Sequence, residues 1–128
     1  MKFRYVVIDD AIFIREILKN ITEKCGGQCV GEAENGRDAL ELVKKTLPDL
    51  AFLDLVMPLR NGLEIIDELK VIWPDLKIVV CSTLDQPEIQ DQVKAKGINT
   101  YFSKPFSKED IEKYLIEEFS VQREIKNV

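Results

Sequence analysis

Apolar positions along the chain fall into two alternating patterns. Arg4-Tyr5-Val6-Val7-Ile8 is a short apolar run of the strand kind, and Ile14, Ile17, Leu18 and Ile21 follow at helical spacing. Gly26-Gly27 is expected to end that helix. Cys29-Val30-Gly31-Glu32-Ala33 predicts a second strand, Asn35-Gly36 a turn, and Ala39, Leu42 and Val43 a second helix closed before Pro48. Leu50-Ala51-Phe52-Leu53 is a third strand, ending at Asp54. Pro58 and Gly62 bracket a loop, and Ile65, Leu69, Ile72 and Trp73 mark a third helix stopped by Pro74. Lys77-Ile78-Val79-Val80-Cys81 leads into Ser82 as a fourth strand. Pro87 suits the first turn of a fourth helix, whose apolar stripe is thin, chiefly Ile89 and Val93, with Gly97 beyond its end. Thr100-Tyr101-Phe102 is a short fifth strand. Ser107 with Asp110 has the spacing of a capping box for a last helix lined by Ile111, Leu115 and Phe119.

Strand and helix alternate five times. That order predicts an α/β domain: a single doubly wound, five-stranded parallel sheet with helices on both faces. The strand runs are nearly all apolar, as a parallel sheet covered on both sides requires. Residues 1–119 are expected to form the domain, and 120–128 a charged helix extension or linker stub. At 128 residues, 45% of them hydrophobic and 32% charged, the chain has material for one core.

Charge and cysteine content narrow the function. A net charge of −5 argues against direct nucleic-acid binding, which needs a basic face. No apolar run is long enough for a membrane span, and Tyr5 to Ile8 is too short for the core of a signal peptide. Three cysteines, Cys25, Cys29 and Cys81, fit free thiols in a reducing compartment, so a cytoplasmic protein is expected. Histidine is absent, which removes a histidine base, a histidine ligand and a phosphohistidine of the protein's own.

In open parallel sheets ligands bind beyond the carboxyl ends of the strands. Asp9 and Asp10 follow the first strand, Asp54 ends the third, Ser82 ends the fourth and Lys104 lies just past the fifth. Singly, such an Asp is often a turn former or helix cap. Three carboxylates at one edge need compensation by positive charge, from Lys104 and a bound dication. All-oxygen ligands open to water suit Mg2+ better than zinc. A carboxylate beside Mg2+ can attack phosphorus. Asp54 is the best placed nucleophile, with Ser82 donating to a phosphoryl oxygen and Lys104 pairing with its charge.

Taken in order, Asp9-Asp10, Asp54-Leu-Val-Met57-Pro58 with Gly62 following, Ser82, Tyr101 and Lys104-Pro105 resemble the response-regulator receiver family of two-component signalling, over residues 3 to about 119. The resemblance implies a flavodoxin-like sheet of strand order 2-1-3-4-5. It implies a phosphorylation-dependent switch rather than an enzyme, with Asp54 as phosphoacceptor. Mg2+ would be held by Asp9, Asp10 (the more direct of the pair), Asp54 and the backbone carbonyl of Val56. Ser82, Thr83 and Lys104 would contact the phosphoryl group, Pro105 would follow a cis bond, and Ser82 and Tyr101 would form the switch. The donor would be a sensor histidine kinase or a phosphotransfer protein. The output would be a protein target on the face formed by the fourth helix, fifth strand and fifth helix, a homodimer on phosphorylation being one outcome.

Val56 and Leu84 stand where polar residues are common in the family, which implies a long-lived phosphoryl group. Thr83 replaces a usual Ala or Gly, and its bulk would narrow access to Asp54 or restrict Tyr101. Three rivals remain at this stage. A flavodoxin-type binder would need a Ser/Thr/Gly-rich loop where Asp9-Asp10-Ala11 stands. A Mg2+-dependent phosphohydrolase would need Asp-x-Asp after its first strand. A pseudo-receiver would lack site residues that are present here.

Overall fold

The computed structural model describes residues 3–119. The expected extension, 120–128, lies outside the described residues. Strands β1 (Phe3–Ile8), β2 (Gly27–Ala33), β3 (Leu50–Leu53), β4 (Lys77–Ser82) and β5 (Tyr101–Ser103) alternate with helices α1 (Ile12–Lys24), α2 (Gly36–Thr46), α3 (Gly62–Ile72), α4 (Pro87–Ala95) and α5 (Lys108–Phe119). Every strand pairing is parallel, in the order β2-β1-β3-β4-β5.

The period of two along each strand explains the two layers of helices. Val6 and Ile8 of β1, Ala51 and Leu53 of β3, and Ile78 and Val80 of β4 face one way. There they meet Ala39 and Val43 of α2, Ile65, Ile66 and Leu69 of α3, and Val93 of α4. The alternate residues Phe3, Tyr5, Val7, Leu50, Phe52, Val79 and Cys81 face Leu18 and Ile21 of α1 and Ile111 and Leu115 of α5. Full burial of each large side chain stabilises by about 1.5–3 kcal/mol. The rings of Phe3 and Phe119 stack at 3.9 Å, tying the first strand to the last helix. Among the described residues no helix is long and apolar enough to cross a membrane.

Several boundaries differ from the sequence expectation. α1 stops at Lys24 with Cys25 as its C-cap, and only Gly26, at φ 97°, makes the exit. Gly27 already belongs to β2, paired with Phe3, so β2 begins two residues before the expected Cys29. α2 ends at Thr46, and Leu47 takes the left-handed conformation (φ 44°) that glycine usually fills. β5 starts at Tyr101 rather than Thr100 and runs to Ser103. Ser107 accepts from the Asp110 amide as an N-cap does, and its hydroxyl donates to Glu109. Of the three cysteines, Cys81 is buried, and Cys25 and Cys29 are half-buried.

One close approach positions the loop after Asp54. A Cβ on Gly36 would stand 1.7 Å from the Arg60 carbonyl oxygen. Gly36 therefore lets the start of α2 lie against that loop, with its N–H donating to Pro58 at 3.4 Å. Both sides of the contact are backbone, so neither swings aside. Gly36→Ala should cost about 3 kcal/mol, the upper end of overpacking, read as a lower urea midpoint at unchanged m. A loss under about 1 kcal/mol would mean that the loop moves freely.

Candidate functional site

The site grows out of the ladder itself. The Asp9 N–H donates to the Ala33 carbonyl at 3.0 Å, Asp54 N–H to Ile8 at 2.9 Å, and Lys104 N–H to Ser82 at 2.8 Å. Each residue is the first beyond its strand, and each is held by the last carbonyl of a neighbouring strand. The parallel sheet thus delivers three charged side chains to one edge with little backbone freedom. Gly62 tightens this further, because a Cβ there would meet the Asp54 carbonyl at 2.5 Å.

The carboxylates of Asp9, Asp10 and Asp54 offer oxygens that lie within 4.8 Å of one another. The Lys104 ammonium donates to Asp9 Oδ2 at 2.7 Å and to Asp54 Oδ2 at 3.1 Å. Asp9 Oδ1 accepts from the Ala11 amide at 2.9 Å, and Asp54 Oδ1 from the Val56 amide at 3.1 Å. Asp9 is 1% exposed and Asp54 5%, whereas Asp10 is open to solvent. Burial pushes the Asp9 carboxyl above its ordinary range, and Lys104 and the Ala11 amide oppose that only in part, while Asp54 adds to it. Burial alone would pull Lys104 down. Its contacts with Asp9 and Asp54 outweigh that and raise it, so the ammonium stays charged.

Three carboxylates against one ammonium leave surplus negative charge in a partly dry site, which favours a further cation. The donor set is all oxygen. Opposite corners of an Mg2+ octahedron stand about 4.2 Å apart, given bonds of about 2.1 Å. Oxygens gathered within 4.8 Å of one another can close on such an octahedron, so the residues fit a small hard dication.

Ser82 is fully buried, and its hydroxyl accepts from the Leu84 amide at 3.3 Å. Tyr101 is half-buried. Its hydroxyl donates to the Leu84 carbonyl. Ser82, Leu84 and Tyr101 are therefore linked across the β4–α4 connection. Thr83 is exposed at the rim and Val56 is 48% exposed. The Lys104–Pro105 peptide is cis. The structure brings Asp9, Asp10, Asp54 and Lys104 into one cluster, and Ser82 and Tyr101 into another beside it.

The sequence reading passed over Arg15. Its guanidinium donates to the Asp9 carbonyl at 2.7 Å and to Glu32 at 2.9 Å. The available signal was a cation one turn into an amphipathic helix, close after the acidic pair.

A parallel sheet of this order with an acid trio and a lysine at its carboxyl edge is the arrangement expected of a phosphoacceptor switch. Residues 5–116 match the family model described as "Response regulator receiver domain", and the chain belongs to that family. It is 40% identical over 103 residues to the chemotaxis protein CheY of Thermotoga maritima, covering 80% of this chain and 86% of that one. Over 111 residues it is 33% identical to sporulation initiation phosphotransferase F of Bacillus subtilis, covering 87% and 89%. The signal receiver domain of NarL from Mycobacterium tuberculosis superposes with a TM-score of 0.81 at 31% identity, covering 91% and 94%. A CheY from Borrelia burgdorferi, solved with CheX, BeF3 and Mg2+, shares the fold at a TM-score of 0.86 and 21% identity, covering 91% and 89%. The protein is a phosphorylation-dependent signalling switch of two-component systems, with a regulatory phosphoacceptor role.

Proposed function

We propose that Asp54 is the phosphoacceptor and that Asp9, Asp10, Asp54 and the Val56 carbonyl hold Mg2+ beside it. The observation that carries this is the Lys104 ammonium bridging Asp9 and Asp54 while Asp10 completes the acidic cluster. Bound there, Mg2+ would supply charge neutralisation to the phosphoryl oxygens. An Asp54 carboxylate oxygen attacks phosphorus, the bond from phosphorus to the donor breaks, and the donor leaves with that electron pair, giving an acyl phosphate. Lys104 pairs with the added charge, and Ser82 and Thr83 lie on the connection that reaches the phosphoryl oxygens. With no histidine in this chain, the phosphoryl group comes from a sensor histidine kinase or a phosphotransfer protein. The free thiols of Cys29 and Cys81 fit a cytoplasmic setting.

Ser82 couples the event to the surface. When its hydroxyl turns to the phosphoryl group it leaves the Leu84 amide, and the Tyr101–Leu84 contact loses its support. Tyr101 then turns inward, which reshapes the α4–β5–α5 face for a protein target. Val93 is the only α4 residue that is fully buried, so α4 is weakly anchored. A coupling of about 1–3 kcal/mol is enough for such a switch.

Intact mass after incubation with acetyl phosphate and Mg2+ tests the reading. A gain of about one phosphoryl unit is expected, and excess chelator should abolish it. A chain that never gains the unit would overturn the proposal.

The lifetime of the acyl phosphate is set by water beside Asp54. Val56 and Leu84 give that water no side-chain acceptor, and Leu84 packs against the core. Val56→Asn should therefore speed loss of the phosphoryl group by about 10-fold, or about 1.4 kcal/mol off the barrier. The decay is followed by intact mass after donor removal; an unchanged or slower decay would show that Val56 does not limit hydrolysis.

A further inference from the structure

The acidic turn between β1 and α1 holds its two members very differently. Both carboxylate oxygens of Asp9 are engaged, one by Ala11 and one by Lys104. Asp10 is exposed, and among the described residues its side chain joins no hydrogen bond or ion pair. Its direction is set by its backbone. The Asp9 carbonyl oxygen accepts from Arg15 Nη1 at 2.7 Å. With the Asp9 N–H already held by the Ala33 carbonyl, this second anchor on a planar peptide group constrains the nitrogen and Cα of Asp10.

Arg15 is itself clamped. Its Nε donates to Glu32 Oε1 at 2.9 Å, and Glu32 Oε2 accepts from Lys19 at 3.0 Å. Burial alone would raise the Glu32 carboxyl, but these two cations outweigh it and hold the group below its usual range. Glu32 lies in β2, opposite Val7 of β1. A brace therefore runs from the sheet through Arg15 to the Asp9–Asp10 peptide. Arginine suits this because its rigid planar fork reaches two acceptors at once, whereas lysine places one point charge on a flexible stem. The Arg15 side chain is only 12% exposed.

We infer that Arg15 is a positioning residue for the acidic site: it orients the Asp9–Asp10 peptide so that the Asp10 carboxylate is presented to the dication. This rests on the proposed reading of the Asp9, Asp10 and Asp54 cluster as an Mg2+ site. Positioning and simple electrostatics predict opposite signs. A guanidinium near the site repels a dication, so by charge alone its removal tightens metal binding. By positioning its removal loosens binding, and loss of such outer partners typically costs about 10- to 100-fold in metal affinity.

The test uses Mn2+ as the probe, with free ion read by electron paramagnetic resonance, on the full chain. Arg15→Gln and Arg15→Lys should each weaken Mn2+ binding by about 10-fold or more, with Lys no substitute for Arg. With acetyl phosphate as donor, the half-saturating Mg2+ concentration should rise by a similar factor. The limiting rate at saturating Mg2+ should stay near that of the wild type, which a general loosening of the fold would not spare. Glu32→Gln keeps the guanidinium but slackens its anchor, so it should weaken Mn2+ binding by a smaller factor; it also serves if Arg15→Gln melts below the assay temperature. Mn2+ binding that is unchanged or tighter in the Arg15 variants, or unchanged in Glu32→Gln, overturns the inference while leaving the metal site standing. A wild-type chain that binds no Mn2+ overturns both.

Discussion

Asp54→Asn should take up no phosphoryl group from acetyl phosphate and Mg2+ at any incubation time, while remaining folded. The substitution keeps the shape and replaces one carboxylate oxygen by an amide nitrogen, whose lone pair is delocalised and does not attack phosphorus. The neighbours cannot take over. Asp9 is 1% exposed, and its two oxygens are held by Ala11 and Lys104. Asp10 is accessible, but it follows β1 rather than β3, so it approaches a phosphoryl group aligned on Asp54 from the side. Removing an essential nucleophile typically costs several orders of magnitude, so on the time scale of the wild-type reaction the intact mass should not change. A persistent gain of one phosphoryl unit in Asp54→Asn would move the acceptor elsewhere. A gain spread over several sites would mean that the acyl phosphate forms without a built site.

The sheet and the charged residues at its edge were legible because both follow from short-range rules. Strands buried on both faces must be apolar throughout, and Leu50 to Leu53 could be placed from that alone. The residues at and just past the strand ends then fall at one edge, which puts Asp9, Asp10, Asp54, Ser82 and Lys104 together from sequence order alone. Errors arose where a partner distant in sequence decides. Gly26 and Gly27 are equivalent locally; what separates them is pairing of Gly27 with Phe3, and the Thr22 methyl that would lie 2.7 Å from a Cβ there. Thr100 has strand propensity, yet the ladder to β4 begins with Tyr101 opposite Val80. Asn35-Gly36 looked like an ordinary turn, whereas Asn35 caps α2 through the Asp38 amide and Gly36 makes room for Arg60. Arg15 escaped notice for the same reason: its acceptors, Asp9 and Glu32, lie six residues before it and seventeen after, and only the folded sheet puts them side by side.

Lys104→Gln should destabilise the metal-free protein by about 3 kcal/mol or more, as breaking a buried ion pair does. The ammonium is shared by two carboxylates that are almost fully buried, and its own side chain is 13% exposed. Glutamine can donate to one of them but brings no charge, so Asp9 and Asp54 are left facing each other uncompensated. The loss should depend on Mg2+. A ligand that binds only the folded state stabilises it by an amount that grows with concentration over its dissociation constant. Without the ammonium competing for the same oxygens, the dication should bind the variant more tightly. Millimolar Mg2+ should therefore raise the urea midpoint of Lys104→Gln by more than it raises that of the wild type, and so recover part of the deficit. Equal midpoints for the two proteins in chelator would mean that the carboxylates are already compensated by solvent. Equal Mg2+ increments would mean that Lys104 and the dication do not compete, and that the ammonium stands outside the charge balance on which the site is built.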